Sequence, residues 1–434
     1  MVMDIPEFVM FIIERLRAGG HEAYVVGGAV RDFCRGRPAG DWDIATSARP
    51  DEIEAVFENV RSYSLKHETV TLVSGEKGYE VSSFRGVRLG GEGLEGDLAH
   101  RDFTINAMAY DPAERRIIDP FGGRHDIIGK RIKAVGNPSD RFHEDPLRMF
   151  RGVRLAAELG FRIEPATGNC IQNMAHMLRG TAKERIRDEL LKLLMSPRPA
   201  EGIRLMKRLG LLAFVIPELL ESVGVRQNPQ YHRFTVFRHI LETVHRADPE
   251  PVIRLAALLH DIAKPRAREK IAGKYRFYGH AKASAALARE ILERLKFGKD
   301  TTERVVHLIE CHMRDLDYRS DWSDGAVRRL IRSIGEENIR SFLSFRRADL
   351  LAHGVMDEKM ALFAELGERI EKLLEIPFPK RAPDLAIDGH KVMEVLHLEQ
   401  GPEVGRILAL LMEKVIDDPQ LNTEESLIAV LNQI

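Results

Sequence analysis

The most informative segment of the chain reads Gly27-Gly-Ala-Val-Arg-Asp-Phe-Cys-Arg-Gly-Arg-Pro-Ala-Gly-Asp-Trp-Asp43. It follows a short β-prone run, residues 23–26, so the glycine pair stands where a strand gives way to a turn and a helix. Without Cβ atoms, Gly27 and Gly28 let backbone N–H groups approach a triphosphate closely. The segment therefore predicts a nucleotide-binding turn.

Two acids, Asp41 and Asp43, close this segment. Side chains two apart in an extended strand lie on one face, so both carboxylates can hold the same hard cations. Mg²⁺ prefers such oxygen ligands, and two ions can activate an attacking hydroxyl and stabilise the leaving oxygen. The alternative is a surface loop with two unrelated acids. Glu80, in the strand-like run 79–84, is a candidate third carboxylate or else an exposed strand residue.

Length and composition narrow the class of protein. The 434 residues exceed one ordinary domain and indicate about two to four. Acids (66) and bases (65) nearly cancel, so any RNA contact must come from local basic faces. Three scattered cysteines argue against a disulfide framework or zinc ribbon and fit a reducing cytoplasm. The apolar run 8–13 is too short to span a bilayer, and no targeting segment is evident.

Two further motifs combine acids with arginines. Arg101 and Asp102 precede an apolar segment. Asp145 and Arg148 lie three apart around Pro146, which fits the first turn of a helix, so we expect both on one helical face. A carboxylate beside a guanidinium can read the Watson–Crick edge of a base. An ordinary ion pair is the alternative.

In this order, the motifs resemble those of the bacterial class II tRNA nucleotidyltransferases and poly(A) polymerases, a branch of the DNA polymerase β superfamily. The resemblance covers nearly the whole chain. It implies an α+β fold, in which a polymerase-β-like head with a mixed sheet precedes an all-α neck, an HD domain and a helical tail. The implied boundaries are 1–125, 126–225, 226–375 and 376–434.

The same resemblance implies roles for individual residues. Asp41 and Asp43 would be catalytic and would hold Mg²⁺. The implied nucleotide-binding residues are Gly27, Gly28 and Arg31 for the triphosphate, Arg101 and Asp102 for the ribose, Asp145 and Arg148 for selecting CTP or ATP, and Arg151 and Arg154 for phosphate or solvent.

Neighbouring positions receive supporting roles or none. Glu144 would support the base-selecting pair, and Glu184 and Arg185, in the helical run 181–194, are predicted to be structural. His100 stands where the family usually has an arginine. An imidazole that is mostly neutral at pH 7 lacks that fixed charge, so no role is carried over to His100.

A short glycine-rich loop departs from the family pattern. Only eleven residues, Gly86 to Gly96, separate Phe84-Arg85 from Asp97-Leu98. Full CCA-adding members have a longer loop here, and its loss is associated with members that add two cytidines and stop. The resemblance therefore favours CC addition over complete CCA addition, although a neutral deletion is the alternative.

Histidines and acids in the second half form another pattern. His239, the adjacent pair His260-Asp261 and Asp349 occur in the order typical of the HD phosphohydrolase superfamily. The resemblance implies a divalent transition metal that generates a hydroxide nucleophile. His280 and His312 would complete a two-metal version. Lys264 would contact phosphate or simply end a helix.

Two further regions of the second half are candidates for contact with RNA. The region 320–347 holds a candidate RNA-facing strip, which we call the arginine strip: Arg328, Arg329, Arg332, Arg340, Arg346 and Arg347. A solvated helix surface is the alternative. A proline-rich linker, 377–383, precedes a tail that resembles the family's element for the acceptor arm and elbow of tRNA.

We therefore expect a template-independent enzyme that transfers CMP, and AMP if it completes CCA, from CTP or ATP to the 3′-hydroxyl of tRNA. Two Mg²⁺ ions would act with the nucleotide. No membrane and no obligate protein partner are expected. Two alternatives stay open, a bacterial poly(A) polymerase and an HD-type phosphohydrolase with a degenerate head.

Overall fold

The computed structural model describes residues 2–65, 69–85, 93–271, 274–354 and 357–433. The chain divides into two units, Met1–Val215 and Ile216–Ile434. The predicted α+β class is confirmed, because a mixed sheet with helices comes first and helices dominate the rest. The finer division into four domains stays a prediction.

The first unit contains these elements: α1 Glu7–Ala18, β1 Ala23–Val26, α2 Gly28–Cys34, β2 Asp43–Thr46, α3 Pro50–Val56, β3 Ser62–Leu65, β4 Thr69–Ser74, β5 Lys77–Ser83, α4 Gly93–Ala99, β6 Ala109–Asp111, β7 Arg116–Ile118, α5 Gly123–Ile128, β8 Arg131–Ile132, α6 Pro138–Glu144, α7 Leu147–Leu159, β9 Arg162–Ile163, α8 Pro165–Met174, α9 Lys183–Met195, α10 Pro199–Arg208 and α11 Leu212–Val215.

Seven strands of the described residues form one sheet in the order β3-β4-β5-β2-β1-β6-β7. Strand β2 pairs antiparallel with β1 and parallel with β5. This register sets Asp43 directly opposite Glu80. Helix α1 packs on the sheet through Val9, Ile12 and Leu16, whose three-to-four-residue spacing follows the helical period. The sheet thus brings two of the predicted carboxylates together.

Helix α7 packs closely on the end of the head. A Cβ atom on Gly152 would lie 2.8 Å from the ring of Phe103, so only glycine allows this approach. Helices α7 and α9 pack against each other in turn. The helix that carries Arg148, Arg151 and Arg154 is therefore fixed beside the sheet.

The second unit is almost entirely helical. Its elements are α12 Val236–Arg246, α13 Pro251–Leu259, β10 Glu269–Ile271, β11 Lys274–Arg276, α14 His280–Arg294, α15 Lys299–Cys311, α16 Asp324–Ile334, α17 Glu336–His353, α18 Asp357–Leu374, α19 Gly389–Leu396, α20 Pro402–Asp417 and α21 Glu424–Leu431.

Two packing regions organise this unit. Helices α12, α13 and α17 pack against one another, while α19, α20 and α21 share a small apolar core that includes Val392, Leu411 and Leu427. Helix α16 contacts both α17 and α20. None of the described helices has both the length and the apolar character of a membrane span.

Candidate nucleotide and metal sites

The glycine turn lies against both a carboxylate and a guanidinium. Gly27 has φ +70°, in the left-handed region that favours glycine. A Cβ atom there would lie 3.1 Å from Asp43 Oδ2 and 3.3 Å from Arg101 Nη1. The absence of a side chain at Gly27 therefore leaves room for the Asp43 carboxylate and the Arg101 guanidinium just after the end of strand β1.

Three carboxylates gather beside this turn. Asp43 begins β2, Asp41 precedes the strand, and Glu80 lies opposite Asp43 on β5. Burial raises the pKa of Asp43, the charges of Glu80 and Asp41 raise it further, and Arg101 opposes the rise. Grouped oxygen donors of this kind fit a hard divalent cation, because bound positive charge would relieve their mutual repulsion. Glu80 is thus not an isolated strand residue.

Arginine side chains near the turn are held by polar partners. Arg31 donates to Asn106 Oδ1 at 3.0 Å and to Asp32 Oδ2 at 2.9 Å. Arg101 donates to Asp97 Oδ2 at 3.2 Å, and Asp97 is buried. Asn106 and Asp97 were not singled out from the sequence. The sequence feature that could have identified them is their position in the segment 97–109, which also carries the Arg101-Asp102 motif.

Asp102 links the head to helix α7. Its carboxylate accepts hydrogen bonds from the Phe103 N–H at 2.8 Å, from Asn106 at 3.2 Å and from Arg151 at 3.1 Å. Burial alone would raise the pKa of Asp102, but the charge of Arg151 and these hydrogen bonds hold it below its usual value. Asp102 is therefore a fixed anion.

These side chains surround one cleft of about 1010 Å³ in the first unit. Its lining includes most of the predicted nucleotide and metal residues of the head: Gly27, Gly28, Arg31, Asp41, Asp43, Glu80, Arg101, Asp102, Arg148, Arg151 and Arg154. Carboxylates and guanidinium groups in a cleft of this size can hold a nucleoside triphosphate with its counter-ions.

The expected geometry of Asp145 and Arg148 is wrong. Helix α7 starts at Leu147, and Asp145 is extended, with φ −150° and ψ 100°. The physical reason is Pro146, because the residue before a proline is driven out of the helical region. The two side chains therefore do not share a helical face.

Asp145 and Arg148 also have different partners. Asp145 accepts two hydrogen bonds from Arg185, at 2.7 and 3.2 Å. Arg148 is buried and donates to Glu144 Oε2 at 2.9 Å and to the carbonyl of His100 at 2.8 Å. Glu144 supports Arg148, as expected, and Arg185 holds Asp145. Base selection by Asp145 and Arg148 stays a prediction.

Arg151 and Arg154 meet carboxylates rather than open solvent. Arg154 Nε donates to Glu189 Oε2 at 2.7 Å, and Arg151 lies 3.7 Å from the other oxygen of Glu189. Glu189 is buried on α9. The sequence analysis missed it, although an acid on the apolar face of the helical run 181–194 was the signal.

The HD residues meet in the second unit. His239 Nε2 lies 2.8 Å from Asp349 Oδ1 and 3.2 Å from His260 Nε2, and all three side chains are buried. Asp261 Oδ2 lies 3.3 Å from His260 Nε2. The structure thus brings together the four residues that the sequence order predicted.

His280 and His312 face the other oxygen of Asp261. Their Nε2 atoms lie 3.5 and 3.9 Å from Asp261 Oδ1. His280 Nε2 is buried without a hydrogen-bond partner among the described residues. Buried imidazoles and carboxylates with an unpaired donor atom fit a transition-metal centre, which we call the HD centre. Lys264 Nζ lies 2.7 Å from Asp261 Oδ2 and donates to Gln227, so it is not simply a helix end.

Two histidines beside the HD centre were missed in the sequence. The rings of His232 and His353 are 4.3 Å apart, and both contact the ring of His239. Burial lowers the pKa of His232 to about 2 and that of His353 to about 3. His353 lies four residues after Asp349 on α17, and this helical spacing was the available signal.

Most of the arginine strip faces protein partners. Arg329 and Arg332 donate to Glu413 on α20 at 2.6 and 2.8 Å, and Arg328 donates to the Ile416 carbonyl. Arg346 is buried between Asp315 and Asp349. The expectation of an RNA-facing strip is therefore wrong for Arg328 and Arg346, which are buried. An RNA contact for the partly exposed Arg329 and Arg332 stays a prediction.

The two remaining members of the arginine strip are more exposed. Arg340 donates to Glu371 at 3.4 Å, and Arg347 lies 3.7 Å from Asp248. Both pairs are weak surface contacts. An RNA contact for Arg340 and Arg347 stays a prediction.

Three known families match successive parts of the chain. Residues 23–133 match the "Poly A polymerase head domain", residues 160–222 match the "Probable RNA and SrmB- binding site of polymerase A", and residues 231–352 match the "HD domain". Together with the cleft, these matches define a nucleotidyltransferase with an attached HD domain.

Full-length relatives narrow this class. The A-adding tRNA nucleotidyltransferase of Deinococcus radiodurans is 33% identical over 420 residues, 90% of this chain and 91% of the relative. The CC-adding tRNA nucleotidyltransferase of Thermus thermophilus is 34% identical over 410 residues, 90% and 89% of the two chains. The chain belongs to the tRNA nucleotidyltransferase family, whose members add nucleotides to tRNA 3′ ends.

A solved structure supports the same assignment. The Bacillus stearothermophilus CCA-adding enzyme in complex with CTP is similar over 99% of this chain and 98% of its own, with a TM-score of 0.75 and 29% identity. Nucleotidyltransferase and HD domains both imply dependence on divalent metals.

Proposed function

We propose that this enzyme adds the two cytidines of the tRNA CCA end and then stops. The observation that carries the transfer chemistry is the grouping of Asp41, Asp43 and Glu80 in the lining of a cleft that arginines also line. Carboxylates and guanidinium groups that line the same cleft suit a nucleoside triphosphate and an attacking hydroxyl.

The head residues divide the work of nucleotidyl transfer. The tRNA 3′-hydroxyl gives up its proton to water and attacks the α-phosphorus of CTP in line. The bond from that phosphorus to the oxygen shared with the β-phosphate breaks, and pyrophosphate leaves. Asp41 and Asp43, with Glu80 beside them, would hold Mg²⁺, which supplies Lewis-acid activation when bound. Arg31 would exchange its contacts to Asp32 and Asn106 for triphosphate oxygens, and Arg101 and Asp102 would position the ribose.

The preference for CC addition rests on the loop that follows β5. The predicted loop was Gly86 to Gly96; its residues 86–92 lie outside the described residues, and Gly93–Ala99 forms helix α4. The spacing of eleven residues between Arg85 and Asp97 on which the prediction rests is read from the sequence alone. A short segment here favours a product that ends at CC, and the Thermus relative is a CC-adding enzyme.

Sizing the product tests this proposal. Three labelled tRNAs that end before CCA, after C and after CC are each offered CTP, ATP or both, with Mg²⁺, and the products are sized on a gel. CC addition predicts two CMP additions to the shortest tRNA and no AMP addition to the tRNA that ends in CC. Completed CCA, or a ladder of adenosines, would overturn the CC assignment but not the transfer chemistry.

The transfer chemistry has its own control. Asp41→Ala should abolish CMP incorporation, whereas Asp51→Ala, an exposed acid on α3, should not. Full CMP incorporation by Asp41→Ala would refute the assigned site.

A-addition is the second candidate for the head, because the Deinococcus relative is an A-adding enzyme of nearly equal identity. The same gel separates the two products. An A-adding enzyme would leave the two shorter tRNAs unchanged and would extend only the tRNA that ends in CC, by a single AMP.

The HD centre supports a second activity, hydrolysis of phosphate esters. Four histidines, His239, His260, His280 and His312, are buried beside the two buried aspartates of the centre, Asp261 and Asp349. A transition-metal ion bound there would supply Lewis-acid activation of water. Water would attack phosphorus, the ester P–O bond would break, the alcohol would leave with a proton that the attacking water gives up, and Lys264 would stabilise the phosphate charge.

An artificial phosphate monoester tests this activity. Chelator-treated protein is supplied with Ni²⁺ or Co²⁺ and p-nitrophenyl phosphate, and release of nitrophenol is followed. Asp261→Asn should remove this activity and keep CMP addition, and Asp41→Ala should do the reverse. Hydrolysis that survives Asp261→Asn would show that the HD centre is not its source.

A further inference from the structure

The HD centre holds two groups of possible metal ligands, and a third group, made of histidines, lies beside them. The first two groups are His239, His260 and Asp349, and Asp261, His280 and His312. His232, His239 and His353 each offer one ring nitrogen, and these nitrogens all lie within 4.8 Å of one another. His239 belongs to the first group as well, because its Nε2 also contacts Asp349. We propose that His232 and His353 form, with His239, an additional transition-metal position beside the HD centre, which we call the third histidine site.

Backbone contacts hold these histidines together. The N–H of Arg233 donates to the carbonyl of His353 at 3.0 Å, so the segment before α12 is tied to the end of α17. Gly354 follows with φ +75°, and a Cβ atom there would lie 3.3 Å from Arg233 Cβ. The close approach of His232 to His353 is thus built into the fold of this unit.

Unsatisfied nitrogen atoms indicate a ligand. Nδ1 of His232 and Nδ1 of His353 are both buried without a hydrogen-bond partner among the described residues. Buried polar atoms are almost always paired, and an unpaired one is costly. An ion that accepts both lone pairs would remove that cost.

The donor set indicates which ion. Three imidazoles favour zinc, cobalt, nickel or copper over Mg²⁺ or Ca²⁺, which prefer oxygen. Three protein ligands with a free fourth position are also typical of zinc sites that keep a water molecule. His232 is partly exposed, which gives a small ion a route to the site.

Nearby charges do not exclude a cation. Lys264 is paired with Asp261 at 2.7 Å, and Arg346 is held between Asp315 and Asp349. His353 Nε2 lies 3.7 Å from Asp349 Oδ1, so a carboxylate adjoins the site. The third histidine site and the HD centre therefore adjoin the negative charge of Asp349. A ring nitrogen has one lone pair, so His239 would serve both positions as a bridging imidazolate: Nε2 would face the HD centre, and Nδ1 would lose its proton to water and give up its 3.4 Å contact to the Ala352 carbonyl.

Metal counting tests this proposal on the full chain. Chelator-treated protein is loaded with Co²⁺ and desalted, and bound cobalt per chain is measured by mass spectrometry together with the visible cobalt spectrum. The His232→Ala/His353→Ala double variant should hold one ion fewer than the wild type and lose part of the spectrum. His245→Ala, an exposed histidine on α12, should match the wild type.

Several outcomes would overturn the proposal. These are an unchanged count and spectrum in the double variant, or a wild type that binds no cobalt. His353→Asn alone should lower the affinity for the weakest ion at least tenfold, and it is the variant to use if the double variant does not fold. CMP addition, measured on the same samples, should be unchanged; its absence from every sample would instead contradict the function proposed for the head.

Discussion

The two candidate sites of this protein differ in their exposure and in the kinds of donor atom that they offer to a metal ion. The head cleft is open, and its acids are oxygen donors at strand ends, surrounded by arginines. The HD centre is closed, and its donors are imidazoles and carboxylates that are almost completely buried. An open cleft suits the nucleotide and RNA end proposed for the head, whereas a buried centre suits an ion and the phosphate group of a small ester.

The difference extends to how charges are satisfied. In the head, Arg31, Arg148, Arg151 and Arg154 already donate to protein oxygens, so a ligand must exchange with existing partners. Around the HD centre, ring nitrogens such as His280 Nε2 have no partner among the described residues. This difference fits the proposal that the first site exchanges substrate, whereas the second holds an ion.

A substitution of a head carboxylate should have the largest effect on one site while leaving the other unchanged. Asp43→Asn should lower the rate of CMP addition by about 10³-fold or more, because metal-assisted charge stabilisation is worth several kcal/mol. Single-turnover incorporation with saturating CTP measures this loss. Cobalt binding at the HD centre should not change. A parallel loss of both would show that the two sites are not independent.

The buried charges of the second unit should dominate its stability. Arg346→Met leaves Asp315 and Asp349 without their buried partner and should cost about 3–5 kcal/mol of unfolding free energy. Arg340→Met, at an exposed pair with Glu371, should cost no more than about 1 kcal/mol. Urea denaturation of both variants gives the comparison, and equal costs would contradict it.

Base selection should depend on Asp145 more than on its partner. Asp145→Ala should reduce discrimination between CTP and UTP by about 1–3 kcal/mol, if this carboxylate reads the base edge. Arg185→Ala should have a smaller effect, since it releases Asp145 without removing it. The ratio of kcat/KM for the two nucleotides is the measurement. Unchanged discrimination in Asp145→Ala would remove the residue from the base site.

The crowding of the head acids predicts a pH effect on stability. The carboxyl pKa of Asp43 is raised by burial in the folded protein. The protonated carboxyl of Asp43 therefore gives its full stabilisation below the ordinary pKa of 3.8, and this stabilisation is lost as the pH rises through the raised pKa of the folded protein. Without divalent ions, Asp43→Asn should gain in melting temperature over the wild type as the pH rises from 4 to 7. An unchanged difference in melting temperature between the two proteins at pH 4 and pH 7 would contradict this prediction.

The smallest effect is expected on the arginine strip. Arg332→Ala should change the KM for tRNA less than twofold, because Arg332 donates to Glu413 within its own unit. The unfolding free energy should fall by no more than about 1 kcal/mol. A large rise in KM that disappears at high salt would instead restore a phosphate contact.

Much of both sites could be predicted from the sequence. Gly27, Asp41 and Asp43 are close along the chain, so their grouping follows from local turn and strand geometry. The HD residues are far apart, but their identities and order are distinctive. The position of Asp145 could not be predicted correctly for two reasons. Pro146 drives the residue before it out of the helical region, which overrides the three-residue helical spacing to Arg148. In addition, the partner of Asp145, Arg185, belongs to another helix.

The sequence by itself therefore determined the kinds of donor in each site and the order of the folded units, because chemistry and local geometry depend on residue type and short spacing. Only the tertiary structure decided the partners. Strand register set Glu80 beside Asp43, α9 brought Glu189 to Arg154, and the end of α17 brought His353 to His232. Such contacts join residues distant in the chain, and packing rather than spacing selects them.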